Sequence, residues 1–301
     1  MVNRRFDFSS IDIQEELASL EATEFVSWGE WHGKYLHRKA NPVTTIRTPF
    51  NRLGGDYEFT VGGYHLLGGY SGHGKSVLAL QCALYAAKEH KVAIASLEME
   101  PEAVARLSYQ LIAGTSIVDE KYEGKISRWL EDRVMAYDRL DTIAPDDAIA
   151  MVIAAAKAGC KLILLDCLFM IESVCQDTEA EQKFTQRLAN VGKKFRVAIV
   201  LVHHMKKPDN VGEKKIPSKA GFIGSSHMVN ASLSCAIVWR DFELIEMRDQ
   251  GMPTEDHLPD VMLKVDKNRH FKFHGLVPLY EHSSRSLCES SKRQVKRIVD
   301  L

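Results

Sequence analysis

The sequence lacks any long apolar run. No window of its 301 residues approaches the roughly 20 consecutive apolar residues that a membrane-spanning helix needs. Two arginines near the amino terminus, Arg4 and Arg5, are followed by no apolar stretch of signal-peptide length. These absences exclude a membrane-protein pattern and lead us to expect a cytoplasmic protein without a membrane partner.

Paired cysteines and net charge are also lacking. The six cysteines are scattered without a C-x-x-C pair, and several lie within apolar patterns, which favours buried free thiols over metal ligands. The formal net charge is −1, so any affinity for nucleic acid must come from a local basic surface. There is no internal repeat and no low-complexity segment, and the length allows a substantial core.

What the sequence does contain is a complete phosphate-binding loop of the form G-x-x-x-x-G-K-S. In this pattern the glycines let backbone N–H groups converge on phosphates, the lysine reaches the outer phosphates, and the hydroxyl ligates Mg²⁺. An apolar stretch precedes the loop and apolar residues at helical spacing follow it. We therefore predict binding of ATP, or of another nucleoside triphosphate, with Mg²⁺. The predicted nucleotide-binding residues are Gly69, Gly72, His73, Gly74, Lys75, Ser76 and Val77.

From Val43 onward, apolar strands alternate with helical patterns, which predicts an α/β fold with a mostly parallel sheet covered on both faces. The predicted strands are Tyr64–Gly68, Lys91–Leu97, Lys161–Asp166, Ala198–His203, Ser234–Trp239 and Val261–Asp266. The predicted helices are Lys75–His90, Pro101–Gly114, Ile126–Ala136, Pro145–Ala158 and Thr178–Phe195.

Three of these strands lead into residues suited to phosphate chemistry. Asp166 ends an apolar strand and is favoured as a carboxylate beside Mg²⁺, opposite the Ser76 hydroxyl, over a cap at a strand end. Glu98 should emerge at the carboxyl edge of the sheet, where it could accept a proton from an attacking water or orient it. A polar residue of the segment 203–208, after another buried strand, could detect the outer phosphate.

The loop that follows is flexible and cationic. Lysines spaced by Gly, Pro, Ser and Asn can bind phosphate backbones without reading base sequence. On composition alone, a solvated charged loop is the favoured interpretation and contact with DNA the alternative. The lysines concerned are Lys206, Lys207, Lys214, Lys215 and Lys219.

The two ends of the chain suggest additions to this core. An amphipathic helix is predicted over Ser10–Thr23, either covering its own domain or docking on a neighbouring subunit. Residues 24–41 have no clear periodicity and indicate a connector. We therefore divide the chain into a linker helix and connector at 1–42, an ATPase domain at 43–288 and a basic tail at 289–301, for which a solvated end is the simpler interpretation.

Together the motifs resemble a known family. The phosphate loop, the Ser-Leu-Glu-Met around Glu98, the Leu-Leu-Asp at Asp166, the His-His-Met-Lys-Lys-Pro at 203–208 and the late Lys267-Asn268-Arg269 are similar to the RecA-type motor domain of DnaB-like replicative helicases. Their order and spacing most closely resemble the helicase half of phage primase-helicases. The resemblance covers roughly residues 43–288.

The resemblance implies a RecA-like P-loop NTPase core and an ATP-dependent DNA helicase. Such a motor forms a ring of six subunits, moves 5′→3′ along single-stranded DNA and unwinds duplex. The resemblance therefore favours contact with DNA, rather than a solvated loop, for the five lysines at 206–219. It implies primase, polymerase or loader proteins as further partners and, if the gene is phage-borne, the host cytoplasm as its location. The linker helix at 10–23 would pack on an adjacent protomer.

The resemblance also implies roles for individual residues. Glu98 becomes the catalytic base and His204 the sensor of the γ-phosphate, while Lys75, Ser76 and Asp166 keep the roles given above. Further along the chain, Lys267 and Arg269 resemble a finger inserted into the neighbouring subunit's site, where Arg would stabilise charge on the transferring phosphoryl group. Tyr280 matches a position that stacks on the nucleotide base.

Two departures and two alternatives accompany this interpretation. We expect no primase or DnaB-type amino-terminal domain before the motor, and residues 221–230 replace a family segment that commonly carries an Arg and a Gln. A RecA-like recombination or strand-exchange ATPase shares the core but forms helical filaments on DNA. A non-motor, ATP-dependent switch or loader would hydrolyse slowly and respond to a protein.

Overall fold

The computed structural model describes residues 26–42, 44–50, 57–138, 140–206, 216–224, 226–255 and 257–301. The strands are β1 (Thr45–Arg47), β2 (Glu58–Thr60), β3 (Gly63–Gly69), β4 (Val92–Ser96), β5 (Val134–Ala136), β6 (Leu162–Asp166), β7 (Ala198–His204), β8 (Ser234–Arg240), β9 (Val261–Asn268), β10 (Gly275–Glu281) and β11 (Leu287–Cys288). The α-helices are α1 (Trp28–Ala40), α2 (Lys75–Ala86), α3 (Pro101–Ala113), α4 (Glu120–Glu131), α5 (Pro145–Lys157), α6 (Thr178–Phe195), α7 (Ser226–Ala231) and α8 (Phe242–Asp249).

Nine of the described strands form one sheet in the order β11-β10-β9-β8-β3-β7-β6-β4-β5. The six strands from β8 to β5 are parallel, and β9, β10 and β11 are added antiparallel at one side. Strand β3, which leads into the phosphate loop, lies between β7 and β8. The carboxyl ends of the parallel strands therefore meet at one edge around that loop, where open α/β sheets bind ligands.

Helices cover both faces of the sheet. In β6, Leu162 and Leu164 pack with α2 and α3 on one side, whereas Ile163 and Leu165 pack with α5 and α6 on the other. Because both sets are buried, the strand is apolar throughout rather than alternating, as expected for a parallel strand with two covered faces. None of the described helices combines the length and the apolar character that a membrane crossing requires.

The predicted fold class is confirmed. All six predicted strands are present within two residues of their predicted bounds, and α2, α3, α5 and α6 begin at the predicted residue. The helix predicted over Ile126–Ala136 is wrong in its position. Helix α4 begins earlier, where the Asp119 side chain accepts a hydrogen bond from the N–H of Tyr122 at 3.0 Å, and it ends at Glu131 before β5.

A helix also occupies much of the predicted connector. In α1 the Ser27 hydroxyl accepts from the N–H of Glu30 at 3.3 Å, and no residue of the helix is buried. Its aromatic side chains are exposed instead, with Trp28 at 79%, Trp31 at 59% and Tyr35 at 57%. The amphipathic helix predicted over Ser10–Thr23 lies outside the described residues.

The carboxyl-terminal residues pack against the domain rather than forming the solvated tail that their composition indicates. Ile298 is buried, and its N–H donates to the carbonyl of Ile112 in α3 at 3.0 Å. The guanidinium of Arg297 lies 4.9 Å from the ring centre of Tyr122 in α4. Residues 289–301 are thus part of the same unit as the core.

Candidate active site

The phosphate loop joins β3 to α2 in a conformation that depends on its glycines. Gly72 and Gly74 have φ of 81° and 92°, in the left-handed region that glycine adopts without strain. Gly69 approaches the neighbouring strand so closely that a Cβ there would lie 2.5 Å from the carbonyl oxygen of Val238. The free N–H groups at the start of α2 follow at once, which forms an anion-binding helix terminus.

Lys75 and Val77, in the first turn of α2, are both buried. The ammonium of Lys75 donates to the carbonyl of Tyr70 at 3.0 Å and lies 3.4 Å from Nδ1 of His204. Burial lowers the pKa of Lys75, and the nearby carboxylates of Asp166 and Glu98 oppose that shift. The side chain is therefore held in the loop, facing the strand ends that carry the predicted acidic residues.

The Asp166 carboxylate lies at the end of β6 beside the Ser76 hydroxyl, with which it forms a hydrogen bond. It is 3% exposed, and its Oδ1 has no hydrogen-bond partner among the described residues. Burial raises the pKa of Asp166 to about 6, against the opposing effect of Ser76. A buried carboxylate oxygen beside a hydroxyl fits a hard cation such as Mg²⁺, which Ser76 and Asp166 would hold.

This raised pKa predicts that Asp166→Asn stabilises the nucleotide-free protein at pH 8. Because the folded-state pKa lies above the ordinary value of 3.8, the contribution of this group to stability is complete below pH 4 and is lost as the pH rises through 6. A neutral amide avoids that loss, which is at most about 3 kcal/mol. We expect Tm to rise by a few degrees at pH 8 and the difference to shrink at pH 5 in a thermal melt.

The exposed Asp138→Asn is the matched control and should leave Tm unchanged at both pH values. A lower Tm for Asp166→Asn at pH 8 would contradict the prediction. It would mean that the carboxylate is stabilised by contacts that outweigh its burial.

Glu98 and His204 also lie close to Lys75. Nε2 of His204 is 3.1 Å from Oε1 of Glu98. The His204 side chain is 20% exposed and the Glu98 side chain 35% exposed. The hydrogen bond from His204 lowers the pKa of the Glu98 carboxyl, with Lys75 acting in the same direction. The thiol of Cys167 also hydrogen-bonds Glu98. The structure therefore brings Lys75, Glu98 and His204 together as one hydrogen-bonded group around a carboxylate that stays ionised.

Sequence reasoning missed two residues beside the loop. Nδ1 of His73 accepts a hydrogen bond from the N–H of Arg240 at 2.9 Å, and the exposed ring of Phe242 packs edge-on against His73 at 4.9 Å between ring centres. The buried guanidinium of Arg240 approaches the loop so closely that a Cβ on Gly74 would lie 3.2 Å from its Nη2. The available signal was an arginine at the end of an apolar strand.

Tyr280 is part of the core and does not line the loop. It is 5% exposed, its hydroxyl donates to the carbonyl of His257 at 2.7 Å, and the guanidinium of Arg293 lies 5.7 Å from its ring centre. A buried ring with a cation against it offers no free face to a base, so the predicted stacking role gains no support from this position.

Lys267 and Arg269 lie far from the loop of their own chain. Strand β9 is antiparallel to β8, and Asn268 pairs with Ser234 at the amino-terminal edge of the parallel strands. The Lys267 ammonium donates to the carbonyls of Val229, Asn230 and Ser232 at 2.6–2.9 Å. Those bonds give Lys267 a structural role at the end of α7.

Arg269 is exposed and donates one hydrogen bond to the carbonyl of Asn230. Of the predicted finger pair, it is therefore the residue that could reach another molecule. Within one chain, neither Lys267 nor Arg269 is brought together with Lys75 or Glu98.

Two of the five lysines predicted to contact DNA are described. Lys206 and Lys219 are both exposed, the N–H of Lys206 donates to the carbonyl of Gly221 at 2.8 Å, and the N–H of Lys219 donates to Asp266 at 2.6 Å. Lys207, Lys214 and Lys215 lie outside the described residues. Lys206 follows the β7 residue His204 by two positions, so this loop begins beside the nucleotide site.

Comparison with known proteins identifies a family and similar folds. Residues 56–210 match the model of a family described as an AAA domain. Among solved structures, the chain is similar to the ATPase domain of a helicase, with a TM-score of 0.71 and 13% identity over 88% of this chain and 99% of that one. A comparison with curated protein sequences gives no significant match.

Two further structures are similar. A DnaB-like replicative helicase, described with its interactions with primase, gives a TM-score of 0.66 and 16% identity over 89% of this chain and 68% of that one. A KaiC-like protein from Pyrococcus horikoshii OT3 gives a TM-score of 0.51 and 17% identity over 81% of this chain and 98% of that one. The resemblance to DnaB-like helicases is thus confirmed at the level of a RecA-like fold.

Proposed function

We propose, from the premise that the chain belongs to the AAA domain family, that it is the ATP-hydrolysing motor of a DnaB-like replicative helicase. The observation that carries this proposal is the hydrogen-bonded group of Lys75, His204 and Glu98 at the end of the phosphate loop. A phosphate cradle alone would support binding. A carboxylate held ionised beside it supports hydrolysis as well, because it can orient and deprotonate water.

The residues divide the chemistry of phosphoryl transfer between them. The N–H groups at the start of α2 and the ammonium of Lys75 bind the phosphates of ATP and offset their charge. Mg²⁺, when held by Ser76 and Asp166, supplies charge stabilisation to the same oxygens. Glu98 orients the attacking water and accepts its proton. His204, between Lys75 and Glu98, is suited to respond when the γ-phosphate leaves.

The complete site requires a second copy of the chain. Arg269 is exposed at the edge of the sheet opposite the phosphate loop, so it can serve only the site of a neighbour. Helix α1 lies at the same edge, since His37 and Arg38 line one pocket with Arg196, which lies shortly before the start of β7. Burial lowers the pKa of His270, and Arg38 and Arg269 add to that shift. The exposed Trp28 and Trp31 of α1 supply an apolar face for that neighbour. Repetition of such a head-to-tail contact gives a ring or a filament. From the resemblance to DnaB-like helicases we propose a closed ring of six subunits.

Coupling to DNA is proposed through the loop after β7. Nε2 of His203 is 2.7 Å from the carbonyl oxygen of Ile223, and the N–H of Met205 donates to the carbonyl of Gly69 in the phosphate loop at 3.2 Å. The loop base is therefore bonded on both sides of the sensor His204. A change at the γ-phosphate has a short path to Lys206, and we propose that the lysines at 206–219 hold the backbone of single-stranded DNA during 5′→3′ movement.

The direct test measures ATP hydrolysis with and without single-stranded DNA and follows the same samples by mass photometry. The proposal expects strong stimulation by DNA and particles of six 33.9 kDa subunits. Filaments on DNA would favour a recombination ATPase. DNA-indifferent turnover by a monomer or dimer would contradict the motor and favour an ATP-dependent switch. Primase, polymerase or loader proteins would then be tested as added partners.

The loop is tested separately by the double variant Lys206→Ala/Lys207→Ala. Because phosphate contacts supply most of the affinity for single strands, we expect loss of DNA-stimulated turnover with ATP binding retained, measured by steady-state hydrolysis and nucleotide titration. The control Lys88→Ala/Lys121→Ala removes the same charge from exposed positions elsewhere. Unchanged stimulation in the loop variant would remove this loop from the proposed DNA path.

A further inference from the structure

Three potential ligands for a soft metal ion meet beside the phosphate loop. The ligand atoms of Glu98, Cys167 and His204 all lie within 4.8 Å of one another. We propose that these three side chains bind a zinc-class divalent cation, and that the bound cation stops ATP hydrolysis. The inhibitory half of this proposal, that the cation stops hydrolysis, rests on the proposed function. The binding half, that the three side chains hold the cation, rests on the geometry alone.

The three residues follow the ends of adjacent strands, which fixes their positions. Glu98 follows β4, Cys167 follows β6 and His204 ends β7, and these strands are neighbours in the sheet. The Cys167 thiol is fully buried and forms the floor, while the partly exposed Glu98 and His204 side chains leave the solvent side open. A cation can therefore enter from solvent and meet the sulfur last.

The distances suit a tetrahedral zinc site after small side-chain adjustment. With Zn–S of about 2.3 Å and Zn–N and Zn–O of about 2.0–2.2 Å, tetrahedral ligand atoms lie roughly 3.3–3.8 Å apart. Nε2 of His204 and Oε1 of Glu98 are already 3.1 Å apart. Three protein ligands leave a fourth position for water, which is the pattern of open zinc sites.

The ligand types separate this site from the magnesium site. Ser76 and Asp166 offer only oxygen, which suits Mg²⁺, whereas a thiolate and an imidazole select zinc-class ions. On binding, the Cys167 thiol releases its proton to solvent and Nε2 of His204 gives its lone pair to the cation. The imidazole proton then resides on Nδ1, so the ammonium of Lys75 must leave its 3.4 Å contact with that atom. The cation thus occupies the base and the sensor together.

Cobalt(II) provides a direct test on the full untagged chain without nucleotide. We expect one Co²⁺ per chain, with a thiolate-to-cobalt charge-transfer band and tetrahedral ligand-field bands, all displaced by Zn²⁺. Cys167→Ser should abolish the charge-transfer band and lower Zn²⁺ affinity by more than the about 10–100-fold that loss of an outer-shell partner costs. Glu98→Gln should weaken binding but keep the band.

Cys160→Ser is the matched control, because Cys160 is a buried cysteine just before the opposite end of β6, beside Met135. It should retain the band. A band that survives Cys167→Ser, or no band in the unaltered chain, would overturn the site. Because Glu98 is partly exposed, Glu98→Gln should fold and tests the site even if Cys167→Ser does not fold. Unchanged Zn²⁺ affinity in Glu98→Gln would also overturn the proposed site.

The inhibitory half is tested by titrating Zn²⁺ into the hydrolysis assay with Mg²⁺ and ATP in excess. We expect inhibition of the unaltered chain, with a midpoint in Cys167→Ser that is higher by more than the about 10–100-fold cost of losing an outer-shell partner. Full ATP hydrolysis while the site holds its cation would overturn the proposal that the bound cation inhibits the enzyme. If the chain hydrolyses no ATP under any condition, the proposed function fails, while the cobalt spectrum still decides the metal site.

Discussion

Glu98→Gln is expected to lower kcat for ATP hydrolysis by about 10²–10⁴-fold, the range of a lost general base, with the Kd for ATP nearly unchanged. Glutamine conserves the shape of the side chain and can still hydrogen-bond Nε2 of His204, so the strand end keeps its position. It cannot accept a proton from water. A lower kcat with binding retained identifies an interaction made only in the transition state.

The measurement is single-turnover hydrolysis with a parallel nucleotide titration. Glu102→Gln is the control, because Glu102 is an exposed residue in the first turn of α3, four positions away. A fall of less than about tenfold in Glu98→Gln would show that another group deprotonates the water. Equal losses in Glu98→Gln and Glu102→Gln would indicate a general effect of charge near this edge.

Arg269→Ala is expected to lower DNA-stimulated turnover by about 10³–10⁵-fold, the range measured for arginine fingers. The guanidinium presents a planar fork to phosphoryl oxygens and stabilises charge that develops in the transition state. Because Arg269 lies at the edge opposite its own phosphate loop, the loss should appear as a defect between subunits. ATP binding and Tm should change little, since the side chain is exposed.

Mixing distinguishes a shared site from a local one. In a mixed ring, some interfaces combine an Arg269→Ala chain, which keeps Glu98, with a Glu98→Gln chain, which keeps Arg269. Such an interface contains both residues, so mixtures should recover turnover that neither variant shows alone. Arg106→Ala, at an exposed position of α3, is the control and should be active without mixing. Failure of every mixture would contradict a site divided between subunits.

Lys267 is unsuitable for this experiment although it belongs to the same motif. Its ammonium donates hydrogen bonds to three backbone carbonyls, and burial lowers the pKa of Lys267 to about 8. An alanine there would remove one donor from each of these carbonyls and alter the end of α7. Loss of activity in that variant would therefore report on folding as well as on chemistry.

The central fold was predictable because burial leaves a direct trace in the sequence. Strands β6 and β7, covered on both faces, are unbroken apolar runs, and the phosphate loop fixes the start of α2. The α1 helix left no such trace, because it buries nothing and its aromatic, basic and glycine residues obscure any periodicity. Strand β5 is a three-residue edge strand without a buried residue, so the sequence pattern predicts a continuation of the preceding helix there.

The candidate site was predictable where strand order decides it. Asp166, Glu98 and His204 follow the ends of adjacent parallel strands, so their proximity follows from topology. The pairing of Nε2 of His204 with Glu98 and the thiol of Cys167 beside them depend on side-chain directions, which the sequence does not specify. The hydrogen bonds of Lys267 and Tyr280 could not be predicted for the same reason, since their partners are backbone carbonyls distant in sequence.

The position of β3 in the sheet also determines when this strand can pair during synthesis. Its two partners, β7 and β8, come much later in the chain, and His65 is 169 residues from its neighbour Ser234. At about 5–20 residues per second, a ribosome takes on the order of ten seconds or more to supply both. Until then the strand that leads into the phosphate loop has both edges unpaired, so the nascent chain exposes an apolar template while translation continues.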